Sequence, residues 1–169
     1  MYSINEQGEE RILLIFSPNT AFPIFPGVME QPHYKIKYFY ETMDDAELYL
    51  VPKQQFGKLL ACNDEAARLA LEYVTGMAGD LVRRLGIIEN KDAKNKIASL
   101  LHYLIKIGSR EIKPNQYKVK FRLTHQDIAA LSGITRETAS IQIKNLEDDG
   151  VISQKKDGLL LINQELIPV

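Results

Sequence analysis

The segment RLTHQDIAALSGITRETASIQIKNLEDDG, residues 122–150, decides how this chain folds. Thr124 is predicted to cap a first helix, with Asp127 as an acidic partner in its first turn. Gly133 is expected to form the following turn, because a residue without Cβ adopts positive φ at little cost. A second helix is predicted over residues 136–148. Two helices joined by so short a turn cross steeply, so the segment predicts a helix-turn-helix.

The second helix is predicted to have a buried face and an outward face, with Thr135 as its cap. The apolar residues that recur at helical spacing and would pack on the first helix are Ala139, Ile143 and Leu146. The residues that face outward and that we predict to read base edges are Arg136, Glu137, Ser140 and Ile141. A major groove admits an α-helix, and residues near its N-terminus usually touch the bases. The same pattern also fits a helical hairpin inside an ordinary α domain.

The segment VISQKKDGLLLIN, residues 151–163, favours a DNA-binding role over the helical hairpin of an ordinary α domain. It reads as a β-hairpin with Asp157 and Gly158 in the turn. A hairpin that directly follows a helix of this kind makes a winged helix. Lys155 and Lys156 lie at the predicted tip of the wing, where they could contact phosphate.

The segment LTHQDIAALSGITRETASIQIKNLEDDGVI resembles the C-terminal domain of the Crp/Fnr family, the cyclic-AMP receptor and fumarate-nitrate regulator type of transcription factor. The specific parts are the Thr-Arg-Glu-Thr that starts the second helix, the Leu-Glu-Asp at its end and the following Gly-Val-Ile. The resemblance extends upstream over most of the chain. It implies a homodimer that binds double-stranded DNA at an inverted repeat, with RNA polymerase as a further partner.

The resemblance also implies roles for individual residues. Arg136 and Glu137 match the family's base-reading pair, in which Arg spans guanine O6 and N7 and Glu accepts from cytosine N4. Ile141 stands where the family has a further arginine, and is expected to pack on a thymine methyl. Gln142 stands where the family usually has a buried aliphatic residue, so a register with Gln142 toward the groove stays open. The predicted phosphate contacts are Thr124, Gln126, Thr135, Lys144, Lys155 and Lys156.

The charge of the chain is uneven along its length. Residues 1–90 contain 8 Lys and Arg and 13 Asp and Glu, giving −5, whereas residues 91–169 contain 13 and 9, giving +4. A basic half with a helix-turn-helix is the electrostatic footprint of a nucleic-acid binder. Modest imbalance is also common by chance, so the charge supports this interpretation without establishing it.

Composition indicates a globular protein of a reducing compartment. The chain is 45% apolar and 25% charged, and no apolar run approaches the roughly 18 residues of a membrane span. The polar, acidic N-terminus is unlike a signal peptide. The single cysteine, Cys62, excludes an internal disulfide and the four-cysteine iron–sulfur cluster that some family members hold. A cytoplasmic location is therefore expected.

An α+β protein with three parts is predicted: a partial β-roll over 1–60, a dimerisation helix over 61–90 and the winged helix-turn-helix domain over 91–169. The predicted strands of the first part are RILLIF (11–16), KIKYFYE (35–41) and ELYLV (47–51). By resemblance, this part is half of a cupin-like jelly roll, the family's effector domain, in a truncated or naturally short form. We expect its open edges to pair with another chain.

The effector part is predicted to lack the family's ligand chemistry. A cyclic-nucleotide pocket needs a Gly-Glu pair and an Arg-Ser or Arg-Thr pair, but Pro23-Ile24 and Ile36-Lys37 stand at those places. His33 is the only histidine there, so a metal site is not expected and no cofactor is predicted. No nucleophile motif or phosphate loop indicates an enzyme. The alternative function is a small-molecule or redox sensor whose β-roll binds an unidentified effector and gates DNA affinity.

The long helix that follows is predicted to begin at Asn63 or Asp64. Its apolar stripe, spaced close to the 3.5-residue period of a two-stranded coiled coil, consists of Ala70, Val74, Met77, Leu81, Leu85 and Ile88. The predicted dimer interface is Val74, Met77, Leu81 and Leu85. The competing interpretation is that this stripe packs on the β-sheet of its own chain.

Two further elements precede the helix-turn-helix. Residues 91–108 are predicted to form an amphipathic helix that ends at Gly108. Residues 113–123 alternate as a strand would. The outward residues of that strand, Lys118, Lys120 and Arg122, include no acid and are expected to border the DNA backbone.

Overall fold

The computed structural model describes residues 1–22, 38–155 and 158–168. Its helices are α1 (Lys53–Cys62), α2 (Asp64–Glu89), α3 (Ala93–Gly108), α4 (His125–Ser132) and α5 (Arg136–Asp148). Its strands are β1 (Tyr2–Ile4), β2 (Glu10–Ile12), β3 (Tyr38–Phe39), β4 (Ser109–Lys113), β5 (Gln116–Val119), β6 (Ile152–Gln154) and β7 (Leu160–Asn163). A 3-10 turn, Gln164–Leu166, follows the last strand. The α+β fold class is as predicted.

Helix α3 is the centre of the core. Asp92 caps it by accepting a hydrogen bond from the Asn95 backbone N–H at 3.0 Å. One face of the helix is apolar, and its buried residues are Ile97, Ala98, Leu100, Leu101, Tyr103 and Leu104. This face packs against α2, α4, α5 and strands β4 and β5. The helix ends at Gly108, where a Cβ would overlap the ring of Phe121. The predicted helix and its end are therefore confirmed.

A four-stranded antiparallel sheet in the order β4-β5-β7-β6 covers one side of this core. The alternating stretch 113–123 was predicted as one strand, which is wrong. Lys113 ends β4, Asn115 turns the chain with φ 61°, and only Gln116–Val119 forms β5. The hairpin forms because Pro114 interrupts the strand and Asn tolerates the left-handed region.

The N-terminal strands form a separate antiparallel sheet in the order β2-β1-β3. Gly8, with φ 80°, lies in the turn before β2. Strand β2 ends at Ile12, so the predicted strand 11–16 is mostly irregular. Instead, Leu14 is buried, and its carbonyl accepts a hydrogen bond from the Met1 amino group at 2.9 Å. The predicted strand 35–41 begins outside the described residues, and Tyr38–Phe39 is its described part.

Two expectations for residues 47–62 are wrong. Residues 47–51 are not a strand, and the side chain of Leu50 is 95% exposed. An extended segment with no neighbouring strand in the described ranges has no ladder partners, so its alternation alone does not make it a strand. Residues 53–62 form helix α1 rather than β structure. Pro52 stands at the N-cap of this helix, with φ −58° and ψ 131°.

Helix α2 has one face against the protein and another toward solvent. Its cap is Asn63, which accepts a hydrogen bond from the Ala66 N–H at 2.9 Å. On the inner face, the buried Arg84 donates to the Ile12 carbonyl at 2.7 Å and lies over the Tyr103 ring at 5.6 Å. Burial raises the pKa of Tyr103 to about 12, which the positive charge of Arg84 opposes. Arg84 thus joins β2 and α3 to the long helix.

Candidate nucleic-acid interface

The helix-turn-helix begins with a capping box. The Asp127 N–H donates to Thr124 Oγ1 at 3.1 Å, and the Thr124 N–H donates to Asp127 Oδ2 at 2.7 Å. Helix α4 ends at Gly133, whose φ of 66° and ψ of 40° lie in the left-handed region. Thr135 then caps α5 by accepting from the Thr138 N–H at 3.2 Å. These hydrogen bonds define both helix starts and the turn between them, as the sequence predicts.

The two faces of α5 are those that the sequence predicts. Its inner residues, Ala139, Ile143 and Leu146, are buried against the core. On the outer face, Arg136, Glu137 and Lys144 are exposed, and Ile141 is 61% exposed. Gln142 is half-buried and lines a shallow cleft with Lys94, Asn145 and Asp148. Gln142 therefore lies on a different side of α5 from the exposed outer residues. The register that turns Gln142 toward the groove is for this reason less suitable for base reading.

Ser140 differs from the other three candidate base readers, because its hydroxyl already has partners. Ser140 Oγ donates to the Arg136 carbonyl at 2.9 Å and lies 2.9 Å from His125 Nδ1. His125 is half-buried at the first position of α4. His125 is not among the residues predicted from the sequence, because its contact joins residues on different helices. A histidine at a helix start opposite a serine is not a recognisable signal in one sequence.

The predicted phosphate contacts fall into two groups. The hydroxyls of Thr124 and Thr135 accept capping hydrogen bonds from backbone N–H groups, so these two residues fix the starts of α4 and α5. Backbone N–H groups at helix N-termini readily donate hydrogen bonds to phosphate. The second group consists of the exposed residues Gln126, Lys144 and Lys155, which are not the cap residue of either helix. Lys156 lies outside the described residues.

The predicted wing is the hairpin of β6 and β7. Ile152 is opposite Ile162 in its register, and both are buried. At its turn, the Gly158 N–H donates to the Lys155 carbonyl at 2.8 Å, and Gly158 has φ 79°. A Cβ on Gly158 would lie 3.6 Å from Arg122 Cδ. The wing therefore lies next to the basic stretch before α4, which consists of Lys118, Lys120 and Arg122.

The basic stretch has acidic neighbours that the sequence did not indicate. Lys120 and Arg122 line an open cleft of about 600 Å³ together with Asp44 and Asp45. Met43 holds this loop by packing against the core. Negative charge therefore faces the cationic side chains from another part of the chain. The sequence of residues 113–123 contains no acid, so these acidic neighbours could not be predicted from that stretch.

The candidate ligand positions of the N-terminal part lie outside the described residues. They are Pro23, Ile24, His33, Ile36 and Lys37. In the described ranges, no three His, Cys, Asp or Glu side chains are gathered as a metal site would need. Cys62 is exposed and unpaired by disulfide. Among the described helices, none is both long and apolar enough to cross a membrane.

Comparison with protein families gives one match. Residues 95–166 match the family described as the Crp-like helix-turn-helix domain. The match begins in α3 and ends in the turn after β7, so it includes the helix-turn-helix and the whole wing. No curated protein gives a significant match to the chain.

Several solved structures have a fold similar to that of this chain. FixK2 from Bradyrhizobium japonicum is 18% identical, with a TM-score of 0.56 over 69% of this chain and 57% of its own. A transcriptional regulator of the CRP family from Thermus thermophilus is 18% identical, with a TM-score of 0.52 over 63% and 54%. CprK, solved in complex with OCPA, is 12% identical, with a TM-score of 0.59 over 98% and 73%. This chain therefore spans little more than half of the first two proteins, and the likeness is one of fold.

Proposed function

We propose that this chain, a DNA-binding transcription regulator of the Crp/Fnr family, binds an inverted-repeat DNA site as a homodimer. The observation that carries the proposal is the outer face of α5, which is exposed, follows a capped N-terminus and lies beside a wing. The proposed recognition helix is therefore α5. Its N-terminal residues Arg136 and Glu137 would read base edges, while Lys144 and Lys155 would contact phosphates.

The exposed stripe of α2 supports the homodimer. Val74 and Met77 are half-buried in the single chain, while Leu81 is 38% and Leu85 57% exposed. When a second copy covers a contiguous apolar stripe, apolar surface is removed from water, and this burial favours the dimer.

Selection of bound DNA from a random pool tests the proposal. The expected result is an inverted repeat whose half-sites are centred about 34 Å apart, one turn of the duplex. A single half-site would contradict the dimer, and binding without any sequence preference would contradict the reading role of the recognition helix.

Replacing Glu137 by Ala should abolish discrimination at one base pair of each half-site. A carboxylate that accepts from cytosine N4 is worth about 1–3 kcal/mol of discrimination, whereas non-specific affinity comes from phosphate contacts. Titration of the selected site and its single-base variants measures the change. Glu147→Ala, which removes another exposed carboxylate at the other end of the helix, is the matched control. Equal weakening on every sequence would remove Glu137 from the readers.

Replacing Lys155 by Ala should lower the salt dependence of DNA binding by roughly one unit in the log–log slope. Each neutralised phosphate releases condensed counterions, so a lost lysine contact reduces the slope without changing base preference. Titrations from 50 to 200 mM salt give the slope. Lys58→Ala, on helix α1, should leave it unchanged. An unaltered slope in the Lys155 variant would remove the wing from the contacts.

A second candidate function is a sensor whose N-terminal part changes DNA affinity. Strand β2 packs against α4, and a Cβ on Gly133 would lie 3.6 Å from Ile88 and 3.7 Å from Arg11. The turn of the helix-turn-helix thus touches both the N-terminal sheet and the end of α2. Melting curves with metabolites, haem and cyclic nucleotides test this function. A ligand that raises the melting temperature and alters DNA affinity would support it.

A further inference from the structure

The contact between His125 and Ser140 joins the two helices of the helix-turn-helix at the edge of the DNA-facing side. Ser140 lies on the outer face of the recognition helix, one turn after Arg136 and next to the exposed Ile141. His125 Nδ1 approaches Ser140 Oγ to 2.9 Å from the first residue of α4. Ser140 Oγ is also 2.9 Å from the Arg136 carbonyl.

The single proton of the Ser140 hydroxyl is used within the protein whichever ring nitrogen of His125 is protonated. If Nδ1 bears a proton, it donates to Ser140 Oγ, and the hydroxyl donates to the Arg136 carbonyl. If Nδ1 is unprotonated, the hydroxyl must donate to it. Ser140 Oγ and the Arg136 carbonyl oxygen would then lie 2.9 Å apart with no proton between them. The arrangement with a proton on Nδ1 is therefore favoured. In both arrangements only lone pairs of Oγ remain for DNA.

We propose that His125 is a positioning residue that restricts Ser140 to accepting a hydrogen bond from DNA. Serine ordinarily pairs with donors or acceptors on bases, because its hydroxyl rotates. Held in this way, it would select a base with an amino group in the major groove. Those bases are adenine, through N6, and cytosine, through N4; guanine and thymine offer only acceptors there. This inference rests on the proposed function and names one specificity of its DNA site.

The test begins with Ser140→Ala, because the base pair at which this variant loses discrimination is the one that Ser140 reads. At that position the unchanged chain should favour adenine or cytosine on one strand by roughly 3- to 10-fold, the effect of one hydrogen bond. His125→Phe keeps a ring of similar shape but removes both nitrogens. Its preference at the same position should fall to near unity, while preferences at the other positions stay as they were.

A combined variant separates positioning from a general structural effect. In the Ser140→Ala background, His125→Phe should cause no further loss of discrimination, because the two residues act through one hydrogen bond. His125→Asn should restore much of the preference, since its amide nitrogen can occupy the place of Nδ1 and donate. A residue that merely stabilises the fold would weaken binding to every sequence equally and would not be rescued by Asn.

Three results would overturn the inference: a guanine or thymine preference at the Ser140 position, an unchanged preference in His125→Phe, or a His125→Phe effect that persists without Ser140. None of these results contradicts the proposed DNA-binding function, because all three are measured on a DNA site that the unchanged chain has selected. If the unchanged chain selects no sequence, the proposed function itself fails, and that result appears before any variant is made.

Discussion

Replacing Leu81 and Leu85 together by glutamate is expected to make the chain monomeric and to lower its affinity for an inverted repeat by about 100-fold or more. Both side chains are exposed in the single chain and belong to the stripe proposed to meet a second copy. A carboxylate buried in an apolar seam without a partner opposes association. Binding to two half-sites would then lose the benefit of linked recognition units. Sedimentation and DNA titration measure the two changes.

The control for this variant is Leu69→Glu. Leu69 is 51% exposed and lies on the same helix, but outside the stripe. It should leave the oligomeric state and the affinity for the inverted repeat unchanged. Affinity for an isolated half-site should be the same in all three proteins, since the recognition helix is not touched. A double variant that still sediments as a dimer would show that another surface joins the copies.

Replacing Leu131 by Ala is expected to lower the free energy of unfolding by about 2–5 kcal/mol. Leu131 is 0% exposed and packs, together with the inner faces of α3 and α5, in the core beneath the helix-turn-helix. The substitution removes apolar contacts and leaves a cavity that tightly packed neighbours fill only partly. Urea titration followed by circular dichroism measures the loss. Thermal unfolding should show a melting temperature lower by roughly 2–4 °C for each kcal/mol.

Ile112→Ala is the matched control for the core variant. Ile112 is 46% exposed on β4, the edge strand of the sheet over the same core. Its truncation should change stability by no more than about 0.5 kcal/mol, as surface substitutions usually do. Equal losses in the two variants would contradict the burial that separates them.

The helix-turn-helix could be predicted from the sequence because its determinants are local. Thr124, Gly133 and Thr135 define the two helix starts and the turn through hydrogen bonds and dihedral angles within a few residues. The inner face of α5 follows from helical spacing alone.

The N-terminal part was predicted less well because its structure depends on distant partners. The alternation in 47–51 suggests a strand, but a strand needs a neighbour, and the segment lies exposed instead. Residues 12–16 are apolar, yet only Ile12 belongs to a strand. Leu14 packs into the interior instead, and its carbonyl accepts a hydrogen bond from the Met1 amino group. None of the residues of helix α1 is buried, so the core does not define this helix.

The sequence by itself determined the capped helix pair, its inner and outer faces and the wing that follows, because short-range hydrogen bonds and periodicity encode them. Only the tertiary structure decided which polar groups meet across elements. It brought His125 to Ser140, Arg84 to the Ile12 carbonyl and the Asp44 loop to the basic stretch. These contacts depend on the relative placement of helices and strands, which core packing sets and no local pattern records.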